Sequence, residues 1–146
     1  MIIRDVRPDD YDDVARLLKE IGGDLGPGDE RLVAGFRDFL EDDGTVLVAE
    51  VDSAIAGVCA YFTRRWSPAD DSSAVWVDSL IVDERHRRQG IGRKLMEEVR
   101  RRARDAGCDS VNLDTEPDWK EALAFYEALG FKREAVTLTW PLRHSH

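Results

Sequence analysis

Apolar residues recur along this chain in two rhythms, every second residue and every third or fourth. The changes of rhythm mark its elements. Ile2 to Val6 reads as a short strand. Pro8-Asp9-Asp10 then opens a helix with acidic residues near its positive end. Tyr11, Val14, Leu17, Leu18 and Ile21 give that helix one apolar stripe. Residues 22–29 hold four glycines and one proline, so they read as the most flexible stretch. A second helix carries Leu32, Val33, Phe36 and Leu40 inward. Thr45–Val51 and Ile55–Phe62 read as strands joined in a hairpin by Asp52-Ser53. Trp66–Ser73 reads as a loop and Ala74–Val82 as a long strand.

A different pattern begins after Val82. A loop rich in arginine leads to Gly90 and Gly92, and then Ile91, Leu95, Val99 and Ala103 recur at four-residue spacing on a helix that Gly107 ends. Ser110–Thr115 is a strand. Glu116-Pro117-Asp118 starts a helix bearing Ala122, Leu123, Tyr126 and Leu129, with Gly130 as its cap. Phe131–Trp140 is a final strand region, broken near Glu134-Ala135. The order is β-α-α-β-β-β-α-β-α-β-β. The strands across 45–82 pair antiparallel, while the β-α-β stretch 74–115 demands a right-handed parallel crossover. This predicts a mixed sheet with helices on both faces, in the α/β or α+β range, and one domain over residues 1–146.

Charge sharpens the picture. The chain is acidic, with a formal net charge of −9. Yet residues 85–104 hold nine Arg or Lys against two Glu. A basic island in an acidic chain points to an anionic ligand at that one place, and the acidic remainder argues against nucleic acid as main partner. It favours a cationic partner such as an amine. Arg100, Arg101, Arg102 and Arg104 read as a solvated helix face, but solvation does not require Gly90 and Gly92. N–H groups of the loop and first helical turn lack helical partners and point out at the positive end of the dipole. The glycines let a phosphate approach the main chain.

No apolar run nears the roughly 20 residues that span a bilayer, and the start of the chain has no signal-peptide pattern, so a cytoplasmic protein without membrane contact is expected. Cys59 and Cys108 read as reduced thiols in no metal-ligand spacing, so no metal is expected. A dinucleotide fingerprint needs a third glycine where Leu95 stands, and no Gly-Lys-Ser/Thr follows to make a P-loop.

Arg87-Arg88-Gln89-Gly90-Ile91-Gly92 matches the Arg/Gln-x-x-Gly-x-Gly/Ala signature of the GNAT superfamily, the general-control-related N-acetyltransferases, at its usual five-residue interval from Val82. Ala122-Leu123-Ala124-Phe125-Tyr126-Glu127-Ala128-Leu129-Gly130-Phe131 matches a second signature, Ala-x-x-x-Tyr-x-x-x-Gly-Phe. The chain resembles that superfamily over almost its whole length. The resemblance implies a mostly antiparallel central sheet of about seven strands, about four flanking helices and a splayed pair of central parallel strands. It implies acetyl-CoA as co-substrate and a primary amine as acceptor. The pantetheine arm would lie along Leu80, Ile81 and Val82 as an added strand. The diphosphate would rest on N–H groups of Arg88, Gln89, Gly90, Ile91, Gly92 and Arg93, with Arg87 beside it. Asn112 is a weaker polar contact. Trp119 stands where many members carry an Asn that touches the cofactor, and an indole cannot reproduce an amide's donor and acceptor.

Amide formation from a thioester needs a neutral amine, stabilisation of the developing oxyanion and a proton for the leaving thiolate. Tyr126 is the candidate donor to the thiolate, with a core aromatic as the competing role. Asp78, interrupting the run Val75-Trp76-Val77, is the candidate base or amine anchor. By period two it would share a face with Trp76, Leu80 and Val82. Asp114, Glu116 or water are the other candidates for the base. The acceptor site is expected between the first two helices, the loop 22–31 and the loop 63–73, with Asp24, Asp29, Glu30, Asp70 and Asp71 as an acidic rim. The acceptor is a small molecule or a peptide amine, with a small cationic amine favoured. A non-catalytic acyl-CoA-binding module is the alternative. Val136, Leu138 and Trp140 offer a homodimer edge.

Overall fold

A computed structural model describes residues 1–22 and 30–143. The chain forms two compact units, Met1–Leu113 and Asp114–His146. The expected flexible stretch, with Asp24 and Asp29, falls largely outside the described residues.

The first unit is a five-stranded sheet in the order β1-β2-β3-β4-β5. Its strands are β1 (Ile2–Asp5), β2 (Thr45–Val51), β3 (Ala54–Ser67), β4 (Asp70–Val82) and β5 (Ser110–Asn112). All pairs are antiparallel except β4 with β5. Three helices join them: α1 (Tyr11–Gly22), preceded by a single 3-10 turn over Pro8–Asp10, α2 (Glu30–Glu41) and α3 (Ile91–Asp105). The mixed class and the parallel crossover stand as expected. Asp52 and Ser53, the expected turn, have φ of 51° and 67°. Two left-handed residues in a row give the turn whose twist suits a two-residue hairpin.

Two expectations change. The segment 66–73 is not a loop. β3 and β4 continue as one long hairpin that turns only after Ser67, with Arg64 opposite Ala74 and Arg65 opposite Ser73. Its outer rungs are rich in polar residues, so no apolar alternation announces them. The expected wall 63–73 is therefore mostly ladder. The sheet also has five strands rather than about seven. Residues 131–143 join no ladder among the described residues, and Val136, Leu138, Trp140 and Leu142 are 84–92% exposed. Alternating apolar residues suit a strand, but a strand exists only where a neighbour takes its hydrogen bonds.

The core lies on both faces of the sheet. Val14, Leu17 and Phe36 pack on Val46, Val48, Val58, Ala60 and Ile81. On the opposite face, Ile91 and Leu95 of α3 seat against Gly57. Arg4 fastens the open end of the sheet. Its guanidinium makes two bonds to Asp10, at 2.7 and 3.0 Å, and one to Glu50 at 3.0 Å. Arg102 of α3 reaches Asp5 of β1 at 2.7 Å and Glu98 at 2.9 Å.

The second unit contains α4 (Lys120–Leu129), closed by Gly130 in the left-handed region at φ 109°. No helix among the described residues is long and apolar enough to cross a membrane.

Candidate active site

The candidate site begins where the β4–β5 ladder ends. The β4–β5 rungs are Ala74 with Ser110, Val75 with Val111 and Trp76 with Asn112, and no others. Beyond Trp76, β4 continues for six residues, 77–82, and among the described residues its ladder there is with β3 alone. β5 itself ends at that last rung, at Asn112. Asp83 donates its N–H to the carbonyl of Ala56 on β3 at 2.8 Å. The trans peptide turns the Val82 carbonyl the opposite way, out to the bare edge. By period two the main chain of Leu80 also faces that edge, while that of Ile81 faces β3. Leu80 and Val82 thus offer main-chain groups to an added strand. Ile81 contributes a side chain that is 5% exposed in the core.

Asp78 lies two residues past the last rung with β5. Ser79 stands opposite Ala60 and Val77 opposite Tyr61, so Asp78 is the extra residue of a β-bulge. The bulge overturns the expected shared face. Val58 and Ile81 pair on the side packed by α1 and α2. Phe62, of the same parity as Val58, pairs with Trp76 and meets Phe39 of α2 edge-on at 6.4 Å. Trp76 is therefore on the α2 side. Leu80 and Val82, opposite Cys59 and Gly57, are on the α3 side. One inserted residue reverses the alternation. Asp78 is exposed and accepts a bond from Ser79 Oγ at 3.3 Å.

The loop after β4 has the geometry of an anion seat. Asp83 caps a short 3-10 turn, Glu84–His86, and accepts the Arg85 N–H at 3.1 Å. Arg88 has φ of 65° and Gly90, the N-cap of α3, has φ of 78°. The first bond along α3 is Lys94 N–H to the Gly90 carbonyl at 3.0 Å, so the N–H groups of Ile91, Gly92 and Arg93 precede it. No acidic residue lies in the first turn. A Cβ on Gly90 would meet nothing within 4 Å, which leaves the main chain open to a ligand there. Arg87, Arg88, Gln89 and Arg93 are exposed, and Ile91 is buried and anchors the turn. Arg87 Nε donates to the Val82 carbonyl at 3.4 Å, a long, exposed bond that an added strand would replace. Arg93 and Lys94 reach Glu97 only at 3.9 Å, both on exposed side chains, so little holds them back from an anion. A bare strand edge running into an open row of N–H groups under arginines fits the arm and diphosphate of acetyl-CoA.

The structure thus brings Leu80, Val82 and Arg87 through Arg93 into one continuous run. Asn112 sits on the last rung beside it, its amide nitrogen bonded to Ser110 Oγ at 3.2 Å. The other candidates belong to the second unit. Trp119 is the N-cap of α4 and is 55% exposed, with no side-chain cap bond. Tyr126 is half-buried, edge-on to Phe125 at 5.3 Å and to Phe131 at 5.5 Å. Asp114 accepts from Thr137 Oγ1 at 3.3 Å, and Glu116 is exposed.

Sequence reading passed over Asp83 and Gly57. Asp83 is 5% exposed, and the Arg85 N–H and guanidinium hold its carboxyl below the usual carboxylate range. The signal for Gly57 was its place inside an apolar strand, which marks a close approach.

The model of the acetyltransferase (GNAT) family matches residues 11–131, and the chain belongs to that family. It is similar to N-acetyltransferase 8 of Homo sapiens, 33% identical over 102 residues. That match covers 66% of this chain and 43% of the relative, so the chain spans less than half of that protein's length. Among solved structures it resembles AAC(6')-Iy in complex with the bisubstrate analog CoA-S-monomethyl-acetylneamine. That likeness has a TM-score of 0.81 at 22% identity, over 98% of both chains. An acetyltransferase of Trypanosoma brucei aligns with a TM-score of 0.80 at 20% identity, over 97% of this chain and 99% of that one. These structural likenesses establish the fold.

Proposed function

We propose that this chain transfers the acetyl group of acetyl-CoA to a primary amine of a small cationic molecule, by direct attack in a ternary complex, with residues 1–146 acting as one domain. The observation that carries this is the stretch of β4 after Trp76. There β4 pairs with β3 alone among the described residues and leads into an N–H row at a helix with no acidic residue in its first turn. Membership of the GNAT family and the likeness to N-acetyltransferase 8 support the same chemistry.

Acetyl-CoA, when bound, supplies an activated acyl group as a thioester. The main chain of Leu80 and Val82 holds its arm, and the loop from Arg87 to Arg93 holds its diphosphate. An alkylamine with a pKa of about 10 arrives protonated at neutral pH and must lose that proton before attack. Asp78, exposed two residues past the last β4–β5 rung, accepts it directly or through water. Asp114, Glu116 and water are the other acceptors to test. Tyr126, at the tyrosine of the family's second motif, gives its phenolic proton to the departing thiolate. The exposed alternation at Val136, Leu138, Trp140 and Leu142 supports association with a second copy, read by sedimentation.

The test is thiol release from acetyl-CoA across polyamines, aminoglycosides, amino acids and lysine peptides. Turnover is expected with one small-amine class. Tyr126→Phe should lower kcat by about 100-fold with little change in the KM for acetyl-CoA. Asp78→Asn should lower kcat most at neutral pH. Turnover of lysine peptides alone would move the acceptor to protein. Tight CoA binding without any turnover would make the chain a binding module.

A further inference from the structure

We infer that Asp83 is a positioning residue for acetyl transfer: its buried carboxylate fixes the first turn of the cofactor loop. The inference presupposes that the loop 87–93 seats the diphosphate. Asp83 stands at the joint where β4 ends. Its main chain is held at both ends, with its N–H on the Ala56 carbonyl of β3 and its carbonyl accepting the His86 N–H, each at 2.8 Å. Its carboxylate accepts the Arg85 N–H at 3.1 Å and lies 3.3 Å from the Arg85 guanidinium. From the other side, Arg16 of α1 approaches it at 3.9 Å.

A carboxylate this buried needs charge and donors around it, and here both hydrogen bonds come from Arg85, inside the turn that opens the loop. The pair with Arg85 sets the direction in which the chain leaves β4. From there only Arg87, Arg88 and Gln89 separate the 3-10 turn from the N-cap Gly90, so an error at Asp83 is carried directly into the N–H row.

Removing the carboxylate should therefore damage recognition of the diphosphate selectively. CoA affinity is measured by calorimetry, and pantetheine affinity, which involves no diphosphate, by NMR titration at millimolar ligand. Asp83→Ala should weaken CoA about tenfold and leave pantetheine within about twofold. Asp83→Asn keeps an oxygen for the Arg85 N–H but loses the charge, so it should fold and weaken CoA about threefold. Its amide spectrum should shift at residues 84–93 and not along β1 and β2. If CoA and pantetheine weaken together, Asp83 is only structural and the inference fails. If the wild type prefers CoA to pantetheine and neither variant changes that preference, the inference fails while the loop assignment stands. If the wild type has no preference for CoA, the loop assignment itself falls, and the inference with it.

Discussion

Gly57 of β3 lies directly beneath Ile91, the first residue of α3, so closely that a Cβ on the glycine would stand 2.8 Å from Ile91 Cγ2. The same Cβ would stand 3.1 Å from Leu95 Cδ1. Both neighbours are buried, and the Ile91 methyl sits on a branched Cβ that cannot swing clear. Gly57→Ala should therefore push the start of α3 off the sheet. A destabilisation of about 1–3 kcal/mol is expected from overpacking, read by chemical denaturation. CoA affinity should fall with it, because the N–H row rides on that turn. A variant as stable as wild type would show that α3 can shift without strain.

Arg88 holds φ at 65°, a region that disfavours any side chain. Two substitutions separate its charge from its strain. Arg88→Gly should raise stability by up to about 1 kcal/mol, part of the relief being offset by the freer unfolded chain. Arg88→Ala should bring no such gain. Both should weaken CoA by a similar factor, since both remove the same exposed charge from the proposed diphosphate seat. Equal stability of the two variants would mean that the left-handed turn relaxes at no cost.

The run from Ala74 to Ala103 was legible because each piece follows a local rule. An apolar strand, a glycine-punctuated loop and a four-residue stripe each leave a pattern in their own residues. The bulge at Asp78 leaves none, because it exists only relative to Ala60 and Tyr61 on another strand. Period two therefore put Trp76 on the wrong side of the sheet. Arg64, Arg65 and Ser73 were read as loop because the outer hairpin is held by main-chain bonds rather than by a buried face. Asp83 stands just past the end of β4, and its burial there follows from tertiary packing that no local pattern records. At Val136, Leu138 and Trp140 the alternation was visible, but the strand partner it needs cannot be read from the alternation itself.

Trp119 occupies the N-cap of α4 without a capping bond. Asn at this position can accept an N–H from the first turn, which an indole cannot. Trp119→Asn should stabilise α4 by about 0.5–1 kcal/mol, read as slower amide exchange over residues 120–123. If the tryptophan instead packs on the cofactor, the same change weakens CoA while exchange still slows. Unchanged exchange would show that the Trp119 backbone, at φ −82° and ψ 71°, is unsuited to side-chain capping.

Glu98 is the acid-sensitive point of α3. Hydrogen bonds from Arg101 at 2.7 and 2.8 Å, then from Arg102 at 2.9 Å, lower its carboxyl from 4.5 to about 2. A depressed carboxylate adds stability that is complete above its unfolded value and is lost as pH falls through the folded one. The window is therefore about pH 4.5 down to about 2. Arg102 also reaches Asp5, so protonating Glu98 loosens the tie from α3 to β1. Glu98→Gln should cost on the order of 1 kcal/mol at neutral pH, discounted because Arg101 is well exposed to solvent. The difference from wild type should shrink through that window and vanish near its lower end. A difference that stays constant down to pH 2 would mean that packing of the Glu98 side chain, and not its charge, supports the helix.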